Sequence, residues 1–313
     1  MGVAAMLIIV CHAYANGVEM SVPMQKITGL GGCGVDMFLF LSGMGLTCSL
    51  TGVKAISVTE TNICQWYKKR YCRILTPYLI FAIPVYAIIG DMNSQYISRY
   101  LFNISTISYW LDGWGLWFVA MLLPLYLVAP FIIRLLTSDN GHLWLGILMV
   151  MSILFALVHF PNDSIMYHVQ FCTNRLPGFF LGVYMWRAIC KGGKLSLWMG
   201  VGAPLLAYIV LYAVNHFWGV CFSLFWLTTL PLLIISSLLV SKLRGLLYVS
   251  RFMGNISLES YCTNVFIPSL LMSIFNVRSS MFGYIASVCA CILLSVIINR
   301  LADCLNHKIF KVI

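Results

Sequence analysis

Apolar runs long enough to cross a bilayer recur along almost the whole chain, and charged residues stand mainly between them. A spanning helix needs about 20 consecutive apolar residues. Runs near 1–15, 31–50, 74–90, 115–136, 142–160, 175–190, 197–215, 219–240, 253–274 and 281–300 meet or approach that length, the first being short. Hydrocarbon offers no water to the backbone, so each run must satisfy its own N–H and C=O groups as a helix. The reading is an all-α, polytopic integral membrane bundle of about ten transmembrane helices. No internal repeat, low-complexity tract or soluble module interrupts it, and the longest connectors lie near 51–73 and 91–113, so residues 1–313 read as one domain.

Composition closes off the soluble alternative. Hydrophobic residues make up 61% of the chain and charged residues 9%, against about 25% charged in soluble domains. The formal net charge of +10 does not point to nucleic acid, because no basic patch with interleaved aromatics occurs. Instead the charges follow membrane topology. Of the 19 lysines and arginines, all but Lys26, Arg99, Arg175 and Arg278 fall in loops that ten spans would place on one side. The positive-inside rule makes that side the cytoplasm and puts both termini there. The 12 cysteines sit mostly inside apolar runs, for example Cys11, Cys48, Cys221, Cys289 and Cys291. They form no CxxC pair and no zinc spacing, and they read as small buried hydrophobes. No metal is expected. No cleavable leader is visible at Met1–Ala15.

Polar groups inside such runs are costly, about 2.5–3.5 kcal/mol for a charge near the bilayer centre, and so are candidate functional groups. His12 ends an apolar run; a buried neutral imidazole can accept a proton from a hydroxyl, or simply bond a backbone carbonyl. Asp36 opens the second span within Gly34-Val35-Asp36. Its carboxylate can orient His12 or bind a substrate hydroxyl, and it can equally cap a helix start. Arg70 and Arg73, three apart in the run Lys68–Arg73, share a helix face and present two guanidinium forks to phosphates. The same pair could anchor topology against anionic lipid. Trp117 suits an interfacial aromatic belt, and Arg175 either holds an anionic or sugar ligand or flanks a span. Glu259 and Asn264 bring polar atoms into the ninth span.

Taken in order, these runs resemble acyltransferase family 3. An apolar first helix ends in His12, and a G-V-D-x-F-F-x-x-S-G run is matched over Gly34–Gly43. A basic R-x-x-R-I-x-P-Y run is matched by Arg70, Arg73, Ile74, Pro77 and Tyr78, and a tryptophan-led L-W-F helix by Leu116–Phe118. An R-x-x-x-F-x-x-G run is matched by Arg175, Phe179 and Gly182, and G-x-I-S-L-E-x-Y-L-x-H by Gly254, Ile256, Ser257, Leu258, Glu259 and Tyr261. Two departures stand out. The family usually has an arginine eleven residues before the first-span histidine, where this chain has Met1; either the start lies upstream of Met1, which the short, uncharged first span favours, or this member lacks the arginine. The last motif usually ends in histidine, where Asn264 stands; asparagine hydrogen-bonds but does not carry a proton at neutral pH.

The resemblance implies transfer of an acyl group, usually acetyl, from cytoplasmic acyl-CoA to a hydroxyl of a cell-envelope carbohydrate or glycolipid. His12 is then the general base or acyl relay, with Asp36 beside it in catalysis. Arg70 and Arg73 bind the CoA phosphates, and Trp117, Arg175, Glu259, Tyr261 and Asn264 line the substrate path. Acyl-CoA is a co-substrate, no cofactor is held, and the expected partners are acyl-CoA, the carbohydrate or glycolipid acceptor and membrane lipid, with no nucleic acid. The expected location is the inner or plasma membrane, crossed many times. Two other readings fit ten sparsely charged spans: a transporter or flippase for a sugar or lipid-linked glycan, and a non-catalytic assembly subunit of a polysaccharide-export system. Transporters often carry paired halves, and no such pairing is found in the sequence.

Overall fold

The structure, a computed structural model, describes residues 1–52, 63–89, 96–190, 198–218, 225–276 and 280–308. Of the residues used above for topology or cysteine placement, Lys54, Lys191, Lys194, Cys221, Arg278 and Lys311 lie outside the described residues. Among the described residues fifteen α-helices follow one another: α1 Gly2–Ala15, α2 Val22–Gly29, α3 Cys33–Thr51, α4 Ile63–Ile89, α5 Tyr96–Ile104, α6 Ile107–Asp112, α7 Trp117–Thr137, α8 Gly141–Leu157, α9 Ile165–Thr173, α10 Leu176–Cys190, α11 Ala203–Trp218, α12 Phe225–Lys242, α13 Arg244–Asn255, α14 Ser257–Ile274 and α15 Met281–Lys308. The described residues contain no strand.

Among the described residues, four segments are long and apolar enough to cross a membrane: Val22–Thr51, Ile63–Ile89, Trp117–Thr137 and Met281–Lys308. Gly2–Ala15, Gly141–Leu157, Gly200–Ile209 and Leu227–Lys242 are shorter apolar helices. Helix α15 carries the lipid pattern along its length. Ile285, Leu293, Ile297 and Leu301 are exposed, while Gly283, Ser287, Cys291, Ser295 and Ile298 are buried. Exposed apolar residues at multiples of four along one helix form a stripe, and such a stripe is at ease in hydrocarbon.

Helix positions differ from expectation at several connectors. Helix α4 begins at Ile63, well before the expected 74, so the basic run Lys68–Arg73 lies inside the helix and not ahead of it. Charged side chains do not stop a helix when their heads reach headgroups or water. The connector expected over 91–113 contains α5 and α6, which are braced by an Arg99–Asp112 ion pair of 2.6 Å. Helix α13 precedes the expected ninth span as a separate element.

The described residues gather into two compact units, each assembled from separated stretches of chain: Met1–Gly32, Cys64–Leu123 and Val249–Ile313 in the first, Cys33–Ile63 and Pro124–Tyr248 in the second. In the first, α14 pairs with α15 through buried hydroxyls, Thr263 Oγ1 lying 3.0 Å from Ser295 Oγ. The Tyr284 hydroxyl donates to the Ile9 carbonyl at 2.6 Å and ties α15 to α1. Helix α1 stops where Asn16 turns back, its backbone N–H and side-chain amide both donating to the His12 carbonyl. The next residue, Gly17, has φ +86°, a left-handed exit that favours glycine. Helix α4 is held to α5 by the Tyr78 hydroxyl, which donates to the Ile104 carbonyl at 2.9 Å.

In the second unit α10 lies along α3 at backbone contact. A Cβ added at Gly182 would collide with the Phe40 carbonyl, and one at Gly43 with the Phe179 carbonyl. Gly178 and Gly182 are four apart, the small-xxx-small spacing that lets helices approach closely in lipid. At the far end of the unit, the Arg187 guanidinium donates to the Ser138 carbonyl and approaches Asp139 at 3.5 Å, closing the α7–α8 turn.

Replacing Gly182 by alanine should therefore destabilise the protein by about 1–3 kcal/mol through overpacking, read as a lower melting temperature in detergent. Gly146→Ala, where nothing lies within 4 Å of the added carbon, serves as control and should melt no lower than wild type.

Candidate functional site

The polar residues singled out in the sequence form separate clusters, and the geometry of each follows from the helices that carry them. In the first unit, His12 stands one turn before the end of α1, which packs against α14 and α15. Its Nδ1 lies 3.0 Å from Asn264 Nδ2. Asn264 is 1% exposed, and its Oδ1 has no hydrogen-bond partner among the described residues. The two amide ends are nearly isosteric. With Nδ2 donating, the ring carries its proton on Nε2; with the amide reversed, Oδ1 accepts from Nδ1–H and Nε2 is left bare. The second arrangement yields the tautomer that can accept a proton from a hydroxyl. Asparagine here can fix the ring and its tautomer without itself taking a proton.

A second cluster of the same unit surrounds the arginine pair. Arg70 and Arg73 line a cavity of about 460 Å³ together with Glu259 of α14 and Asn299, Asp303 and Asn306 of α15. Arg70 also lies over the Trp66 ring, 5.9 Å from its centroid. Glu259 is 6% exposed and accepts from Asn299 Nδ2 at 3.0 Å. Asn306 Oδ1 accepts from the Thr76 hydroxyl at 2.7 Å, which ties α15 to α4. The structure thus places Glu259 with the arginine pair. By sequence His307 falls at a span end with no role assigned and Asn299, Asp303 and Asn306 are not singled out, yet all four line this cavity. The available signal was three amide or carboxylate side chains at intervals of four and three on one helix, a shared face.

Tyr261 and Trp117 serve a third cluster. The Tyr261 hydroxyl accepts from the Phe118 backbone N–H at 3.1 Å, and the two rings meet edge to face at 5.4 Å. That N–H is one of the donors a helix start leaves open, so Tyr261 anchors the beginning of α7. Trp117 is half-buried and packs edge to face on Phe118 at 5.8 Å.

In the second unit, Asp36 sits in the first turn of α3, fully buried, and pairs with Arg175 just ahead of α10 at 2.6 Å. The Arg175 side chain is 12% exposed. A bidentate bond would occupy both carboxylate oxygens, yet Asp36 Oδ1 has no hydrogen-bond partner among the described residues. Gly178 lets α10 come close here, because a Cβ on it would press against the Asp36 backbone. No set of three or more His, Cys, Asp or Glu residues among the described residues could hold a metal ion.

Breaking a buried ion pair from one side leaves an uncompensated charge. Arg175→Met should therefore destabilise the fold by roughly 3–5 kcal/mol, measured as thermal unfolding in detergent. The double variant Asp36→Leu with Arg175→Met should recover much of that loss.

In comparison with known families, the sequence model of an acyltransferase domain matches residues 2–300. No curated protein and no solved structure matches the chain. The match runs through both compact units and includes every residue named in the clusters above except Asp303, Asn306 and His307. The chain belongs to acyltransferase family 3, and with its long apolar helices it is a membrane acyltransferase.

Proposed function

We propose that this protein moves an acyl group, usually acetyl in reactions of this kind, from acyl-CoA at the cytoplasmic face to a hydroxyl of a cell-envelope carbohydrate or glycolipid. The observation that carries the reading is the His12–Asn264 pair, a histidine on an apolar helix whose Nδ1 meets a buried amide. In the proposed reaction, His12 Nε2 accepts the proton of the acceptor hydroxyl as its oxygen attacks the thioester carbonyl. The C–S bond then breaks, and the CoA thiolate leaves and takes up the proton. Asn264 holds the ring in the tautomer that leaves Nε2 bare. Arg70 and Arg73 face the donor phosphates, because two guanidinium groups on one cavity wall suit a polyanion. Asp36 and Arg175, paired with each other, hold the acceptor side in this reading, and Trp117 of the first unit is proposed separately as an aromatic contact for the substrate.

About ten crossings with both termini in the cytoplasm, in the inner or plasma membrane, remain part of the proposal, on the strength of the lysine and arginine distribution. That orientation puts the Arg70/Arg73 cavity on the side where acyl-CoA is made.

The test is transfer of label from radiolabelled acetyl-CoA into glycan in membrane vesicles that contain the native envelope acceptors. His12→Ala should lower transfer by about 100- to 10,000-fold, the range removed with a general base, at unchanged membrane insertion. Wild-type activity in that variant would remove His12 from the chemistry. No label with either protein would turn the assignment toward a transporter or an assembly subunit.

The arginine pair gives a separate readout. Arg70→Ala with Arg73→Ala should raise the KM for acyl-CoA with little change in melting temperature, and an unchanged KM would leave the pair as a lipid anchor.

A further inference from the structure

The cavity beside Arg70 and Arg73 has two unlike walls. The α4 wall is cationic, with Lys69, Arg70 and Arg73; the wall built by α14 and α15 carries two carboxylates, Glu259 and Asp303, and two amides, Asn299 and Asn306. A simple polyanion would be drawn to the first wall and repelled by the second. A ligand that fits both must carry phosphate at one end and an uncharged group rich in hydrogen-bond donors and acceptors at the other.

The two amides are already set. Asn299 donates to Glu259 at 3.0 Å, which leaves its Oδ1 turned to accept. Asn306 takes the Thr76 hydroxyl on its Oδ1 at 2.7 Å, which leaves Nδ2 to donate. Asparagine amides supply the acceptor and donor that the N6 amino group and a ring nitrogen of adenine need. A carboxylate such as Asp303 accepts from a ribose hydroxyl or from the N6 amino group. At about 460 Å³ the cavity falls within the range of small-ligand sites.

We infer that the cytoplasmic end of α15, through Asn299, Asp303 and Asn306, reads the adenine nucleotide of the acyl donor opposite the Arg70/Arg73 phosphate wall. The inference rests on the acyl-CoA reading above and deepens it: the donor is selected for its nucleotide as well as its thioester. Acyl donors without a nucleotide, such as an acyl phosphopantetheine, then engage only the α4 wall. These three residues are specificity-determining and touch no reacting atom.

The experiment is equilibrium binding to the full-length protein in detergent, with CoA, phosphopantetheine, adenosine 3′,5′-bisphosphate and phosphoethanolamine as probes. In wild type, adenosine 3′,5′-bisphosphate should displace CoA. Asn306→Ala should weaken CoA roughly tenfold, the scale of one or two lost hydrogen bonds, and leave phosphopantetheine unchanged. Asn306→Gln, which keeps an amide, should recover part of the loss, and a melting curve for each variant separates binding from misfolding. Asp303→Asn should behave as Asn306→Ala does if the carboxylate accepts from the nucleotide.

If wild type binds CoA but adenosine 3′,5′-bisphosphate does not compete, or if the Asn306 variants bind CoA and phosphopantetheine alike, the nucleotide-reading role is overturned and the donor reading stands. Displacement of CoA by phosphoethanolamine and not by adenosine 3′,5′-bisphosphate would make the cavity a lipid headgroup site. A wild type that binds no CoA at all would overturn the donor reading itself.

Discussion

A bilayer core gives a polar group nothing to bond, and the arrangement of this protein follows from that constraint. The backbone meets it by being helical. The side chains meet it by pairing inside each unit: Asp36 with Arg175, His12 with Asn264, Thr263 with Ser295, Glu259 with Asn299. Outward-facing residues of α15 are apolar from Ile285 to Ile297 apart from Cys289, and the exposed Arg300 comes only after them. What remains polar and inward is a short list of groups, and the proposed chemistry is drawn from among them.

Close packing and polar placement support one another in both units. Gly43, Gly178 and Gly182 bring α3 and α10 together at backbone distance, and that closeness lets Asp36 reach Arg175 across helices 139 residues apart. In the other unit, Tyr284 ties α15 to the Ile9 carbonyl one turn before His12, so the ring that meets Asn264 is carried on a helix fixed at that level. At position 264 an asparagine hydrogen-bonds the His12 ring, and asparagine carries no proton at neutral pH. In the proposed mechanism His12 therefore works without a second titrating ring.

Much of this was legible in the sequence. The apolar runs mark where the long helices lie because hydrocarbon dictates both composition and helicity, and the family followed from six weak motifs in order. Helix ends were less legible. A basic run such as Lys68–Arg73 reads as a loop by hydropathy, yet stays helical because its side chains reach polar surroundings. Partners were not legible at all. By sequence Asp36 can orient His12, bind a substrate hydroxyl or cap a helix, and none of these names its hydrogen-bonding partner Arg175; by sequence Glu259 is a substrate-path residue with no partner named, and it lies with Arg73 and Asn299. Such pairings join residues far apart in sequence, and no local pattern encodes them. The polar end of α15 was written in its spacing, but a helix tip with Asn, Asp and His looks like an ordinary solvated end until α4 is seen to face it.

The central claim is that acyl-CoA is consumed from the cytoplasmic side. Its most direct measurement is release of free CoA thiol from acetyl-CoA added outside sealed vesicles of opposite orientation, with the acceptor glycans present. The account predicts thiol release by inverted vesicles, whose cytoplasmic face is outward, and none by right-side-out vesicles. Release only by right-side-out vesicles, or equal absence from both, would contradict it.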